Sequence, residues 1–236
     1  MDNPVKNMTV QRSIDRSIGP GAGRGIGLPM RRSGMDLCKR LVDIVGASLL
    51  LVFFMPLLAV IAGALFVCHG GNVLFRHRRV GRDGVPFDCL KFCSMHADAD
   101  RLLAECLERD TRLRMEWHRN RKLARDPRVH ALGRLLRKSS LDELPQFLNV
   151  LRGEMSLVGP RPVVREEAGR YGGNFAFYLA LRPGITGLWQ VSGRNDTTYD
   201  ERVALDVRYF HERSLWFDIR IMLRTLVVVF TGKGAC

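Results

Sequence analysis

Apolar positions are spread unevenly along this chain. One block, Ile44 to Cys68, runs for 25 residues without a charge. That is long enough to span a bilayer, which takes about 20 residues, and too long for an ordinary core helix. Basic residues flank it on both sides: Arg31, Arg32, Lys39 and Arg40 before it, Arg76, Arg78, Arg79 and Arg82 after it. Basic flanks favour the cytoplasmic side, so a simple span would strand one of these clusters. Pro56, in the middle of the block, removes a backbone donor and crowds the preceding turn. The pattern predicts a re-entrant helix–break–helix over residues 35–71, with both ends on the cytoplasmic side. A straight span is the alternative, because re-entrant backbone must satisfy its polar groups without water.

Beyond the block the periodicity changes. Residues 72–80 and 85–95 read as two strands around Gly81-Arg82-Asp83-Gly84, a hairpin signal. Residues 98–125 read as one helix with an apolar stripe of Leu102, Leu103, Cys106, Leu107, Leu113 and Trp117. Asp126-Pro127 ends it. Val129, Leu132, Leu135 and Leu136 suggest another short helix. Residues 181–195, rich in glycine and polar groups, read as an irregular loop suited to substrate contacts. Thr198 and Glu201 form a capping box, and Val203, Val207 and Phe210 line the helix it starts. Residues 216–230 include Arg220 and Arg224. They are too short and too charged to span, and suit a helix lying at a membrane interface or in a core.

Composition narrows the partners. Lys and Arg number 37 against 24 Asp and Glu, a net charge of +13. Nucleic acid, acidic lipid or phosphorylated substrates would each answer that charge. Six cysteines occur without a Cys-x-x-Cys pair, which argues against zinc or a disulfide scaffold and for a reducing compartment. Residues 1–34 carry Gly19, Gly21, Gly23, Gly25 and Gly27 with Pro20 and Pro29, lack apolar periodicity and read as a flexible basic tail. Their glycines fit no dinucleotide-binding register.

Chemistry concentrates at Ser139 to Pro162. Asp142 and Glu143 are adjacent carboxylates three and two residues ahead of Pro145. Proline is tolerated in a first helical turn, so a helix starts near Leu141 or Asp142. Capping alone explains these residues: Asp142 serves as N-cap, or Ser140 caps with Glu143 as its partner. The same geometry suits phosphate chemistry, because a helix start presents free amides and partial positive charge. Arg137 and Arg161 would keep both carboxylates ionised and could clamp phosphate. Aspartate is a known covalent nucleophile, and Mg²⁺ commonly bridges carboxylate and diphosphate. Lys91, on the second strand, either faces a phosphate or is simply solvated.

The string Ser-Leu-Asp-Glu-Leu-Pro-Gln, followed by Asn-Val-Leu-Arg-Gly-Glu-Met-Ser-Leu-Val-Gly-Pro-Arg-Pro, resembles the bacterial sugar transferases that use polyprenyl phosphate. The likeness runs from about Met35 to Cys236, includes the apolar segment before the catalytic part, and is greatest to the short exopolysaccharide-type members. It implies that Asp142 attacks the sugar-bearing phosphorus of a UDP-sugar, expelling UMP, and that undecaprenyl phosphate then takes the phospho-sugar. It implies that Glu143, with Asp142, holds Mg²⁺, and that Lys91, Arg137, Arg161 and Arg194 bind phosphate. Where the family often has arginine, this chain has Cys93. UDP-glucose and UDP-galactose are the leading donors. The implied home is the bacterial inner membrane, with the catalytic part on its cytoplasmic face and no nucleic-acid partner; a homo-oligomer is left open.

The expected fold is therefore α+β and predominantly helical. It has a basic tail (1–34), a re-entrant membrane helix hairpin broken at Pro56 (35–71), and a cytoplasmic membrane-associated catalytic domain (72–236) holding a small β-hairpin and interfacial helices. The competing reading, from charge alone, is a membrane-tethered module that binds anionic lipid or nucleic acid.

Overall fold

The computed structural model describes residues 33–69, 71, 73–96, 98–120, 123, 126–193 and 197–231. The basic tail and Arg194 lie outside the described residues, apart from Ser33 and Gly34. Helix α1, Ser33–His69, carries the apolar block as a single element. The expected break at Pro56 is corrected here: helical backbone continues through it. One proline deletes one donor, and apolar neighbours on both sides sustain the remaining ladder.

The chain forms two units, and each takes part of α1. In the first unit, one face of α1 docks through polar groups. Lys39 Nζ donates to Asp218 at 2.6 Å, and Asp43 accepts from Ser156 Oγ and Leu157 N, both at 3.0 Å. Arg40 donates to the carbonyls of Val150 and Leu151. These carbonyls end α5 (Gln146–Arg152), where a cation complements the helix dipole. Ala47 is fully buried, and a side chain at Gly46 would strike Leu157.

The core of this unit gathers Val80, Val163, Ala168, Tyr171, Phe175, Tyr178, Leu179 and Val203. Tyr178 ties it together by donating to Val80 O at 2.6 Å and accepting from Val163 N. Strand β3 (Ser156–Val158) pairs in parallel with β4 (Gly184–Thr186). Both were missed by pattern reading, since three-residue strands leave no period to detect. The expected irregular loop 181–195 thus contains β4 and a one-turn helix, Leu188–Val191. Two longer helices follow, Tyr199–Glu212 and Leu215–Thr231. The predicted Thr198 capping box starts the first of them, with Thr198 Oγ1 accepting from Glu201 N.

The second unit is smaller. Its core is Ile61, Leu65, Phe92 and Leu136, flanked by Leu58, Ala62, Val73, Leu132 and Leu141. The C-terminal half of α1 supplies the first two. Strands β1 (Leu74–Val80) and β2 (Pro86–Phe92) form the expected hairpin, turning at Asp83 and Gly84, both with positive φ; residues 76–90 of it belong to the first unit, and its two outer ends to the second. The expected helix over 98–125 is two helices, α2 (Ala99–Arg109) and α3 (Thr111–Asn120). Asp110 separates them in extended conformation, and its carboxylate accepts from the amides of Arg112 and Leu113. Asp110-Thr111 was a legible cap signal that the continuous stripe concealed. Helix α4, Ala131–Lys138, leads into the carboxylate pair.

Candidate active site

Asp142 and Glu143 sit in a single 3₁₀ turn, Leu141–Glu143. Ser140 precedes it in the left-handed region, with φ 58°, and makes no side-chain cap. Neither capping reading survives: the Ser140 side chain accepts nothing from the turn, although its carbonyl accepts from Glu143 N at 3.2 Å, and α5 starts only after Pro145, at Gln146. Side-chain capping therefore does not account for the two carboxylates.

Three of the expected cations are described, and two of them share this unit. Lys91 Nζ lies 2.6 Å from Glu143 Oε1, a partly buried pair. The strand lysine thus points at the carboxylates and is not simply solvated. Arg137 is exposed at the end of α4, and its Nε donates to Ser94 Oγ at 2.8 Å. Asp142 is 8% exposed. Burial pushes its carboxyl above the usual range; Lys91 pulls it down, Glu143 raises it, and Arg137 lowers it again. Burial wins because the opposing cations act without a direct hydrogen bond to Asp142.

Arg161 belongs to the first unit, in the Gly159-Pro160-Arg161-Pro162 turn after β3. Its guanidinium lies 5.5 Å from the Trp189 ring, which Arg202 also approaches at 5.0 Å. Arg79, on β1, donates to Pro162 O at 3.3 Å. Burial, and then the charge of Arg161, hold the Arg79 guanidinium below its ordinary value. Two cations are thus concentrated on one turn, with the Glu167 carboxylate 3.9 Å from Arg79 beside them. Pattern reading missed Arg79, Ser94, Trp189 and Arg202 as contributors. The basic run in β1 and the aromatic beside a Gly-rich turn were the only signals.

The described residues contain no group of three or more His, Cys, Asp or Glu placed to hold a metal. A pair of adjacent carboxylates fits a cation that keeps several waters and completes its shell with substrate phosphates.

Residues 34–232 match the family described as bacterial sugar transferase. The exopolysaccharide production protein ExoY of Rhizobium meliloti is 46% identical over 199 residues, 84% of this chain and 88% of that protein. The UDP-galactose-lipid carrier transferase of Erwinia amylovora is 48% identical over 84% of this chain but only 41% of its own length. The UDP-glucose:undecaprenyl-phosphate glucose-1-phosphate transferase of Caulobacter vibrioides is 40% identical over 89% of this chain and 76% of its own. Several relatives are thus more than twice as long as the stretch they share with this chain.

Proposed function

Because this chain belongs to the bacterial sugar transferase family, we propose that it transfers a sugar 1-phosphate from a UDP-sugar to undecaprenyl phosphate. The observation that carries this reading is the buried Asp142 beside the Lys91–Glu143 pair, with Arg137 at the same turn. An Asp142 oxygen attacks the sugar-bearing phosphorus. The phosphoanhydride bond breaks, and UMP leaves with the bridging oxygen. A phosphate oxygen of undecaprenyl phosphate then attacks the aspartyl phosphorus and restores the carboxylate. Burial strips water from the nucleophile, while Lys91 and Arg137 hold it ionised and neutralise phosphate charge. Arg161 and Arg194 are assigned to further phosphate contacts. Glu143 with Asp142 would hold Mg²⁺, which supplies charge neutralisation to a diphosphate. The donor is UDP-glucose or UDP-galactose.

A lipid acceptor calls for a membrane surface. Helix α1 is long and apolar enough to cross one, and Val52, Phe53, Met55, Phe66 and Val67 are exposed along it. Its two ends nevertheless each bury a face: Asp36 to Ala47 against polar groups of the first unit, and Leu58 to Leu65 in the apolar core of the second. Between Ala47 and Ile61, residues 48–60 include no buried position. At about 1.5 Å per residue they reach roughly two thirds of the hydrocarbon thickness. The basic residues on both flanks of the apolar block are what support both ends lying on the cytoplasmic face of the inner membrane. The final helix, Leu215–Thr231, buries Asp218 and Ile221 and exposes Trp216, Leu223, Leu226 and Val227, as an interfacial helix would.

Two measurements test the proposal. Purified protein with radiolabelled UDP-sugars, undecaprenyl phosphate and Mg²⁺ is expected to release UMP and form a lipid-linked sugar diphosphate. Failure across a broad donor panel removes the enzymatic reading and leaves the anionic-surface module. The native Cys38 and Cys68 are exposed at opposite ends of α1 and serve as topology probes once the other cysteines are replaced. Both are expected to react only from the cytoplasmic side; labelling from opposite sides would establish a span.

A further inference from the structure

Helix α4 is registered against the end of β2 along one face, at positions 130, 133 and 137. His130 caps the helix: its Nδ1 accepts from Gly133 N at 2.8 Å. That nitrogen therefore carries no proton, and Nε2, 3.3 Å from Cys93 O, is the donor. Gly133 lies directly on Ser94, where an added Cβ would come within 2.1 Å of Ser94 O and 2.9 Å of its Cα. One turn later Arg137 Nε donates to Ser94 Oγ at 2.8 Å. Ser94 is itself buried, so its hydroxyl has little freedom to turn elsewhere. Among the described residues this is the protein hydrogen bond of the Arg137 side chain, and it uses the inner donor of the guanidinium. A guanidinium held at Nε keeps its Nη1–Nη2 edge for a two-point contact with phosphate oxygens.

We propose that Ser94 is a positioning residue for the transfer reaction. It fixes Arg137 at Nε, so that the Nη1–Nη2 edge meets a phosphate of the nucleotide-sugar beside Asp142 and Glu143. Without the hydroxyl, an exposed arginine samples several rotamers, and each substrate molecule must order it anew. This inference rests on the phosphoglycosyl transferase reading.

The test is a double-mutant cycle on kcat/KM for the UDP-sugar, read by UMP release. Ser94→Ala is expected to lower kcat/KM by about tenfold, the size of one hydrogen bond to a charged group. In an Arg137→Ala background, the same substitution is expected to change kcat/KM by less than about twofold, since no guanidinium remains to be held. A further tenfold loss in that background would show that Ser94 acts on the fold generally and would overturn the proposal. So would a Ser94→Ala enzyme with parental kcat/KM. Should Ser94→Ala fail to fold, Ser94→Cys keeps the size and weakens the acceptor; a folded Ser94→Cys protein with parental kcat/KM overturns the proposal, and one with a loss that vanishes in Arg137→Ala supports it. A parent protein that releases no UMP from any donor sinks the transferase reading itself, a result distinct from each of these.

Discussion

Asp142→Asn is expected to abolish turnover while leaving a protein at least as stable as the parent. The loss follows from the assigned role. An amide cannot attack phosphorus, and removal of a covalent nucleophile costs at least about a thousandfold in kcat. The stability argument is independent of that role. Burial raises the folded-state pKa of Asp142 above its unfolded value. The folded protein therefore binds that proton more tightly, and stability falls as pH rises between the two values. At neutral pH the full cost of the buried charge is present, and asparagine removes it. Thermal melting in detergent should give an equal or higher Tm for Asp142→Asn, with roughly 2–4 °C for each kcal/mol relieved. The same shift sets the acid limb of activity. In the parent, kcat/KM should rise with pH through a value above the ordinary carboxylate range near 4, because only ionised Asp142 attacks. A variant with lower Tm and parental turnover would contradict both arguments.

The second large effect is expected at Gly184. A Cβ there would lie 2.1 Å from Gly159 N, 2.3 Å from Thr186 O and 2.7 Å from Gly159 Cα. These are backbone atoms of the β3–β4 junction and cannot rotate away. Gly187 meets the same obstacle, with Gly159 O at 2.1 Å. Glycine is needed here for close backbone approach. Gly184 N donates to Pro160 O at 2.8 Å, and Gly159 N to Thr186 O at 2.9 Å. These bonds fix the turn that carries Arg161. Gly184→Ala is expected to cost about 3 kcal/mol or more, the upper range for overpacking, and to lower Tm by roughly 6–12 °C. Gly63→Ala on α1 is the matched control, since nothing lies within 4 Å of its added methyl. A Gly184→Ala protein melting with the parent would refute this account of the junction.

Long-period features were legible in the chain. The apolar block showed α1, because 25 uncharged residues exceed what any competing element needs. The Asp-Gly turn showed the hairpin, and the capping box showed the start of the Tyr199–Glu212 helix, because both signals depend on local backbone geometry alone. The carboxylate pair was legible as a motif, but its surroundings were not. Pro145 placed the helix start ambiguously, and Ser140 in the left-handed region, with no side-chain cap, lies outside any local pattern. Strands β3 and β4 were invisible because their pairing joins residues about 28 apart over only three positions.

By itself, then, the sequence determined the long apolar helix, the hairpin, the basic balance and the Asp142-Glu143 motif, all of which follow from neighbours along the chain. The tertiary structure decided what those carboxylates experience. Lys91 comes from a strand more than fifty residues earlier to pair with Glu143, and Ser94 comes from the same segment to hold Arg137. The surrounding fold buries Asp142 enough for desolvation to outweigh the nearby cations. Burial and charge placement depend on distance in space, and that distance exists only once the chain has packed.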